Sequence, residues 1–283
     1  MKKAKEWIMQ VVFTAAACVS IAAVVLICIF LFANGVPAIT KIGVFSFLFG
    51  KNWQPANNQF GIWPMVIGSI YVTAGALLIG VPIGILTAVF LAHFCPKKWY
   101  RLVKTAISLM AGIPSVVYGF FGLVILVPMI RNIFGGRGMS ILTASLLLGL
   151  MILPTVISVS ETALRAVSNS YYEGALALGE THEGSVFRAV FPAAKSGIFA
   201  GVVLGIGRAV GETMAVMMVA GNQPIIPDEL TDGVRTLTAN IVMEMGYAAD
   251  LHREALIATA VVLFVFILVI NLSFALLKRR GKA

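Results

Sequence analysis

Long runs of apolar residues, separated by shorter polar segments, dominate the pattern of this chain. The runs that are long enough to cross a bilayer are residues 11–33, 66–92, 105–130, 139–160, 196–220 and 255–277. A helix needs about 20 residues to cross about 30 Å of hydrocarbon. Because backbone polar groups in a bilayer must be hydrogen-bonded within the protein, these runs predict helices. The pattern therefore predicts an all-α, polytopic membrane protein with six transmembrane helices.

The composition narrows the classes of protein further. Of the 283 residues, 59% are hydrophobic and only 12% are charged, and the mean hydropathy is +0.96. A soluble globular domain has about 25% charged residues. With half that share, the chain cannot cover a compact core with a polar surface. The composition excludes a soluble enzyme, a disordered chain and a nucleic-acid-binding module.

The distribution of positive charge predicts the orientation in the membrane. The net charge is +9, and more than twice as many Lys and Arg residues fall on one side of the predicted spans as on the other. The richer side holds both termini and the segments 93–104 and 161–195. Since basic residues are concentrated in cytoplasmic loops, both termini are expected in the cytoplasm. The excess of basic residues thus indicates how the chain is oriented in the membrane, and we expect no nucleic-acid partner.

The predicted spans divide the chain into three parts. Residues 1–61 form a first transmembrane helix and an external loop, and residues 62–278 form the transmembrane core. Residues 279–283 form a short basic tail in the cytoplasm. Within the core, the cytoplasmic loop 161–195 has the clearest signs of internal structure.

That inner loop has the sequence of two short helices joined by a turn. Ser170-x-x-Glu173 predicts a capping box at the start of a helix, and Gly179 is placed to end it with a positive φ. Thr181 can cap a second helix, which we expect to stop at Pro192. The pattern fits a helical hairpin lying on the inner surface and equally a rigid element on which a soluble partner docks.

The fifth run places charged residues inside the membrane. Gly197, Gly201, Gly205, Arg208 and Glu212 follow helical spacing and share one face. An arginine at this depth costs about 2.5–3.5 kcal/mol on insertion scales, so it must be paired or face a wet pathway. In one interpretation Arg208 and Glu212 form a structural pair. In the other, Arg208 meets a translocating anion, because a guanidinium suits phosphate oxygens, and Glu212 holds the Arg208 side chain in place or is displaced by the substrate.

Other motifs for chemistry are missing from the sequence. No Gly-x-x-x-x-Gly-Lys-[Ser/Thr] segment occurs, so the chain cannot hydrolyse ATP by a P-loop. His93, His182 and His252 are scattered without metal-ligand spacing, and no nucleophile–base set is recognisable. We therefore expect no catalytic residue, no metal and no cofactor bound by this chain itself.

The inner loop also resembles the EAA signature of ABC importer permeases. Glu173, Ala175, Gly179 and Pro192 match the spacing of that signature, and Gly174 takes the place of an alanine between Glu173 and Ala175. The resemblance implies the type I ABC importer permease (MetI-like) fold. It also implies that these residues belong to a coupling helix seated in a cleft of an ATPase subunit.

Two further segments resemble the phosphate-specific branch of this family, the PstC type. They are residues 112–119 and 207–216, supported by Gln59-Phe60-Gly61. The resemblance implies a second, homologous permease of the PstA type and a dimer of PstB-type subunits that bind ATP and Mg²⁺. It further implies an extracytoplasmic phosphate-binding protein of the PstS type. The location implied is the bacterial cytoplasmic membrane, with lipid around the spans.

The function expected from residues and resemblance together is that of a permease subunit, not an enzyme, in an ATP-driven phosphate importer. Arg208 is the expected donor to phosphate in the path. One alternative keeps the machine but changes its substrate to tungstate, molybdate or sulfate. Another is an ion-coupled carrier that uses Glu212 as its proton or ion site.

Overall fold

The N-terminal part is one long helix followed by a small folded segment. In the computed structural model, which describes residues 2–280, helix α1 spans Lys2–Ile42 and helix α2 spans Val44–Phe49. Gly43 separates them with φ of 96°, a conformation that glycine adopts without steric cost. Strands β1 (Trp53–Gln54) and β2 (Gln59–Phe60) then form an antiparallel hairpin. The segment that was predicted as an external loop is thus largely folded.

The second and third spans differ in regularity. Helix α3 spans Trp63–Val89 and continues as a π-helical turn, Phe90–Phe94. The third apolar run was predicted as one helix over 105–130, and this is wrong. Helix α4 (Lys97–Gly112) ends before Pro114, because proline forces the preceding residue, Ile113, into an extended conformation.

The third span itself begins after that break. It consists of helix α5 (Ser115–Phe121), a π-helical turn (Gly122–Leu126) and helix α6 (Val127–Phe134). Tyr118 closes the break, since its hydroxyl donates to the carbonyl of Met110 at 3.0 Å. The apolar crossing therefore runs over Ser115–Phe134, with the basic helix α4 preceding it.

The remaining chain completes the bundle. Its helices are α7 (Ile141–Arg165), α8 (Asn169–Ala177), α9 (His182–Ser185), α10 (Phe191–Gly211), α11 (Met214–Val219), α12 (Leu237–Glu244) and α13 (Asp250–Arg280). A π-helical turn, Val186–Val190, joins α9 to α10. Within residues 2–280, six helical stretches are long and apolar enough to cross a membrane, as predicted. Most of the predicted basic tail, residues 281–283, lies outside the described residues.

Helix α7 forms the centre of the bundle, with α3 and α10 packed against it. Glycines allow the close approach to α3: a Cβ at Gly80 would lie 2.8 Å from the carbonyl oxygen of Gly149. The Ser145 hydroxyl donates to the Val72 carbonyl at 3.2 Å across the same interface. In membranes, small residues drive helix packing in this way, since lipid offers no hydrophobic force between helices.

Helix α1 lies at the edge of the molecule. It meets α13 near its C-terminal end, where Phe32 and Phe264 are 6.0 Å apart in an edge-to-face contact. The side chains that are described before this point are almost all exposed and mostly apolar, for example Val19 and Leu26. Such a surface fits the hydrocarbon of a bilayer.

Buried carboxylates tie the helices together at the two ends of the bundle. Glu161 accepts hydrogen bonds from Lys104 at 2.6 Å, Tyr100 at 2.8 Å and Arg165 at 2.9 Å. These bonds hold the basic helix α4 against the last turn of α7. The second carboxylate, Glu244, lies in α12 at the other end of the bundle. It joins the β1–β2 hairpin to the first turn of α13.

Candidate functional site

The fifth span is broken where the sequence predicted a continuous helix over 196–220. Helix α10 ends at Gly211, and Glu212 is extended, with φ of −69° and ψ of 129°. The Glu212 carboxylate accepts a hydrogen bond from the amide of Ala215 at 3.1 Å, which caps α11. The Glu212 carbonyl accepts from the Thr238 hydroxyl at 3.1 Å. Side chains therefore satisfy the backbone groups that the break frees.

This break keeps Glu212 away from Arg208. The two residues form no ion pair, and Arg208 instead donates from Nη1 to the hydroxyl oxygen of Thr155 at 3.3 Å. In this structure Glu212 therefore neither pairs with the Arg208 side chain nor holds it in place. The reason is local, because the extended backbone turns the Glu212 side chain towards the next helix.

The glycines before Arg208 position it against α7. A Cβ at Gly205 would lie 3.0 Å from a methyl group of Val156, and one at Gly201 would lie 3.2 Å from the Ser160 hydroxyl. The predicted close approach of a second helix backbone along this face is therefore confirmed. Its consequence is that Arg208 reaches Thr155, a residue that sequence reasoning missed. The only feature of the sequence that points to Thr155 is that a polar side chain directly follows Pro154 within an apolar run.

The segments 112–119 and 207–216, far apart in sequence, meet in the structure. A Cβ at Gly119 in α5 would lie 3.0 Å from the Cα of Ala215 in α11. The helix breaks at Pro114 and Glu212 thus directly precede two helices, α5 and α11, that pack on each other.

Arg208 stands out among the partly buried cations of residues 2–280. Arg235 pairs with Glu244, and Lys104 pairs with Glu161. No carboxylate lies within ion-pair distance of Arg208, whose side chain is half-buried in a membrane span. An uncompensated guanidinium in such a place can bind an anion through its planar set of donors.

The inner loop has the predicted helix–turn–helix form with two differences. Gly179 has φ of 89° and Thr181 caps the second helix, accepting from the Gly184 amide at 3.1 Å, as predicted. The first helix, however, is capped by Ser168, two residues before the start of the predicted box, and Glu173 accepts from the Asn169 side chain. Pro192 does not end a helix.

Pro192 lies in the first turn of α10, directly after the π-helical turn, within one helical stretch that runs from His182 to Gly211. The π-helical turn before it carries the chain directly from α9 into the membrane span. The connection between α7 and α10 therefore covers residues 166–190, somewhat less than the predicted loop 161–195.

The first helix of this loop presents apolar side chains to the outside. None of the residues of α8 is buried, and Leu178, which follows it, is 90% exposed. Glu173, Gly174 and Gly179 are exposed as well, while Ala175 is half-buried. Arg188 and Glu180 pair at 2.6 Å and brace the hairpin. An open groove of about 640 Å³ runs beside the hairpin, with Arg188 and Pro192 in its walls.

Across the part of the chain that is described, no group of three or more His, Cys, Asp and Glu residues is arranged to hold a metal ion.

Comparison with known proteins defines the class. Residues 80–282 match the family described as the inner membrane component of binding-protein-dependent transport systems, and the chain belongs to this family. It is accordingly a permease subunit, a multi-pass protein of the inner membrane. The family's members are transport subunits and not enzymes.

Relatives narrow the class further. The chain is 38% identical over 273 residues to a probable ABC transporter permease protein, YqgH, of Bacillus subtilis, covering 93% of this chain and 88% of that protein. It is 35% identical over 260 residues to the phosphate transport system permease protein PstC of Mesorhizobium japonicum, covering 84% and 79%. The resemblance to PstC-type permeases that the motifs indicated is thereby confirmed.

Solved structures confirm the fold. A permease chain of a bacterial alginate ABC transporter aligns with a TM-score of 0.64 at 17% identity, over 94% of each chain. A chain of the MetNI methionine ABC transporter in an inward-facing conformation aligns with a TM-score of 0.62 at 20% identity, over 81% of this chain and 99% of that one. The chain has the type I ABC importer permease fold.

Proposed function

We propose that this permease forms half of a path through which phosphate is imported at the expense of ATP. The observation that carries the proposal is Arg208, a half-buried guanidinium in a membrane span with no carboxylate partner. The relatives named as phosphate transport permeases supply the chemical identity of the anion. Glu212 serves the path indirectly, by capping α11 at the helix break beside Arg208.

A transport site must bind its substrate weakly enough to release it. The contact between Arg208 and Thr155, at 3.3 Å to a neutral hydroxyl, is long for a hydrogen bond and is readily exchanged for one to an anion. Phosphate then accepts a hydrogen bond from Arg208 in which both partners are charged. The guanidinium returns to Thr155 once the anion leaves. A strong ion pair at this position would resist such exchange.

Coupling to ATP hydrolysis belongs to the inner loop. The residues of the EAA-like segment, Glu173, Gly174, Ala175, Gly179 and Pro192, lie on or beside the braced hairpin with its exposed apolar side chains. In the proposed complex, PstB-type subunits hold ATP and Mg²⁺ and close on this hairpin. A PstA-type permease forms the other half of the path, and a PstS-type protein delivers phosphate from outside. Both termini of the chain then face the cytoplasm.

Uptake of labelled phosphate into proteoliposomes tests this proposal. The vesicles hold the chain with a PstA-type permease and a PstB-type ATPase, with loaded binding protein outside and ATP inside. Arg208→Gln is expected to abolish uptake without loss of assembly. Arg131→Gln, which changes an exposed arginine at the end of α6, is the matched control and is expected to keep full uptake.

Each other outcome identifies an alternative. Normal uptake by a well-assembled Arg208→Gln transporter would rule out Arg208 as the phosphate ligand. ATP-driven uptake that excess tungstate, molybdate or sulfate abolishes would change the substrate. Uptake that persists without ATP would replace the importer with an ion-coupled carrier.

A further inference from the structure

The hydroxyl of Thr155 is the partner of Arg208 within residues 2–280, and it is an unusual partner for a cation in a membrane span. A neutral oxygen leaves the positive charge uncompensated, whereas the other partly buried cations are paired with carboxylates. Thr155 is half-buried, as is Arg208, so neither residue is sealed inside the chain.

Thr155 also differs from other threonines in the helices of this protein. The hydroxyls of Thr87, Thr162 and Thr259 each donate to the carbonyl oxygen four residues earlier, at 2.7–2.9 Å. The Thr155 hydroxyl makes no such bond and, in the described chain, only accepts from Arg208. Since a hydroxyl has one proton to donate and two lone pairs, its proton remains available.

The position of this hydroxyl is fixed by packing. Helix α10 is held against α7 by glycine contacts, the nearest being Gly205 against Val156, the residue next to Thr155. Val156 is fully buried and Pro154 is buried on the other side of Thr155. The separation of α7 and α10 next to this hydroxyl is therefore set by tightly packed neighbours, while the long Arg208 side chain can still turn.

We propose that Thr155 is a second ligand of the translocating oxyanion, and that it and Arg208 form a two-donor site between α7 and α10. This inference rests on the proposed function. As the anion arrives, Arg208 turns its N–H donors from Thr155 to one anion oxygen. The Thr155 hydroxyl, whose hydrogen is not otherwise engaged, then donates a hydrogen bond to another anion oxygen. Because the hydroxyl also accepts, it serves the protonated oxygens of phosphate, which sulfate lacks at neutral pH.

The test compares variants of Thr155 in the complete transporter in proteoliposomes, with loaded binding protein outside and ATP inside. Thr155→Val keeps the shape and removes the hydroxyl, and Thr155→Ala is a second hydroxyl-free variant. Thr155→Ser keeps the hydroxyl. Thr162→Val, on the same helix with its hydroxyl bonded to the Ser158 carbonyl, is the matched control.

Loss of the hydroxyl is expected to lower the maximal rate of phosphate uptake about tenfold, the effect of losing one hydrogen bond to a charged group. The KM for loaded binding protein and the ATPase rate that it stimulates are expected to stay unchanged, because docking and coupling are untouched. Thr155→Ser and Thr162→Val are expected to transport at a rate close to that of the parent. A fault in folding would lower uptake and ATPase activity together.

Two results would overturn the role of Thr155: uptake by Thr155→Val at the parental rate, or Thr155→Ser as slow as Thr155→Val. Arg208→Gln, measured in the same series, separates this failure from that of the proposed function. If Arg208→Gln loses uptake while Thr155→Val keeps it, the phosphate path stands without Thr155. If Arg208→Gln keeps uptake, both the path and the two-donor site are wrong.

Discussion

Arg208 is kept in the membrane at a cost of about 2.5–3.5 kcal/mol on insertion scales. Its bond to Thr155, at 3.3 Å, is long and recovers only part of that cost, since even a well-formed hydrogen bond to a charged group contributes about 1.5–3 kcal/mol. Burial of the surrounding apolar residues of α7, such as Ile152 and Val156, supports the fold around it. Stability alone therefore gives no reason for an arginine here, whereas passage of an anion does.

Gly205 sets the distance between Arg208 and Thr155, and a substitution there is expected to destabilise the chain. A helix-interior glycine replaced by alanine normally stabilises by about 0.5–1 kcal/mol. At Gly205, however, the new Cβ would lie 3.0 Å from Val156, which is fully buried and cannot move away. Overpacking of about 1–3 kcal/mol then outweighs the gain.

Thermal unfolding of the purified chain in detergent measures this difference. Gly205→Ala is expected to lower the Tm. Gly207→Ala, two residues along the same helix and with no atom within 4 Å of its Cβ, is the control and is expected to raise it. A Gly205→Ala variant as stable as Gly207→Ala would show that α10 is free to move away from α7.

Of the two residues that form the contact between α7 and α10, the sequence analysis singled out Arg208 and missed Thr155. Arg208 is recognisable because a charge inside an apolar run is costly wherever the chain folds. Thr155 is not recognisable in this way, because threonine is tolerated in membrane helices and its partner comes from 53 positions further along the chain. The position of Glu212 was predicted wrongly, since a regular helix was assumed through the break at which it caps α11.

At the scale of elements, the main features that the apolar runs do not reveal are the two helix breaks. Hydropathy averages over Pro114 and over Glu212, so both runs were predicted as single helices. The first break follows from the geometry of proline and was predictable from local rules. At the second break the Glu212 carbonyl accepts a hydrogen bond from Thr238 in α12, a long-range contact that no local pattern reveals.

The turn of the coupling hairpin is expected to depend on Gly179. Its φ of 89° is costly for any residue with a Cβ, by about 1–2 kcal/mol, although no neighbouring atom would meet that Cβ. Gly179→Val is therefore expected to misplace α8 relative to α9 and to lower ATP-driven uptake severalfold, with normal insertion in the membrane. The measurement is uptake in the reconstituted transporter, together with ATPase activity stimulated by binding protein.

Gly246→Ala is the control for that experiment. Gly246 lies between α12 and α13, outside the coupling hairpin, without a positive φ and with no atom within 4 Å of a Cβ, so alanine fits there without strain. Transport by Gly246→Ala is expected to equal that of the parent. If Gly179→Val transported equally well, the hairpin would not act as a rigid lever.

At the scale of the whole molecule, six spans, an all-α fold and an importer permease family follow from the sequence, because they depend on run length and on motifs. The connections that hold the spans in place do not. Trp53 and Glu244, whose side chains are bonded at 2.8 Å, are 191 positions apart. Partners at such separations are chosen by the fold, and the sequence shows them only as a scattered polar residue or an isolated aromatic.

The cluster around Glu244 is expected to be the strongest single support of this end of the molecule. Its carboxylate receives bonds from Trp53, Arg235 and His252, and the Glu244 and Arg235 side chains are only 8% and 13% exposed. Glu244→Gln would leave the Arg235 guanidinium buried without a counter-charge, and breaking a buried pair costs about 3–5 kcal/mol. It would loosen the hairpin, the loop with α12 and the start of α13 together.

Glu254→Gln provides the comparison, because Glu254 pairs with Lys41 at 2.7 Å with both side chains well exposed, at 38% and 58%. Such a surface pair contributes about 0–1 kcal/mol. In thermal unfolding of the purified chain, Glu244→Gln is therefore expected to lower the Tm far more than Glu254→Gln. Equal shifts would mean that water reaches Arg235 and replaces the lost carboxylate, and that this end of the bundle is held by apolar packing alone.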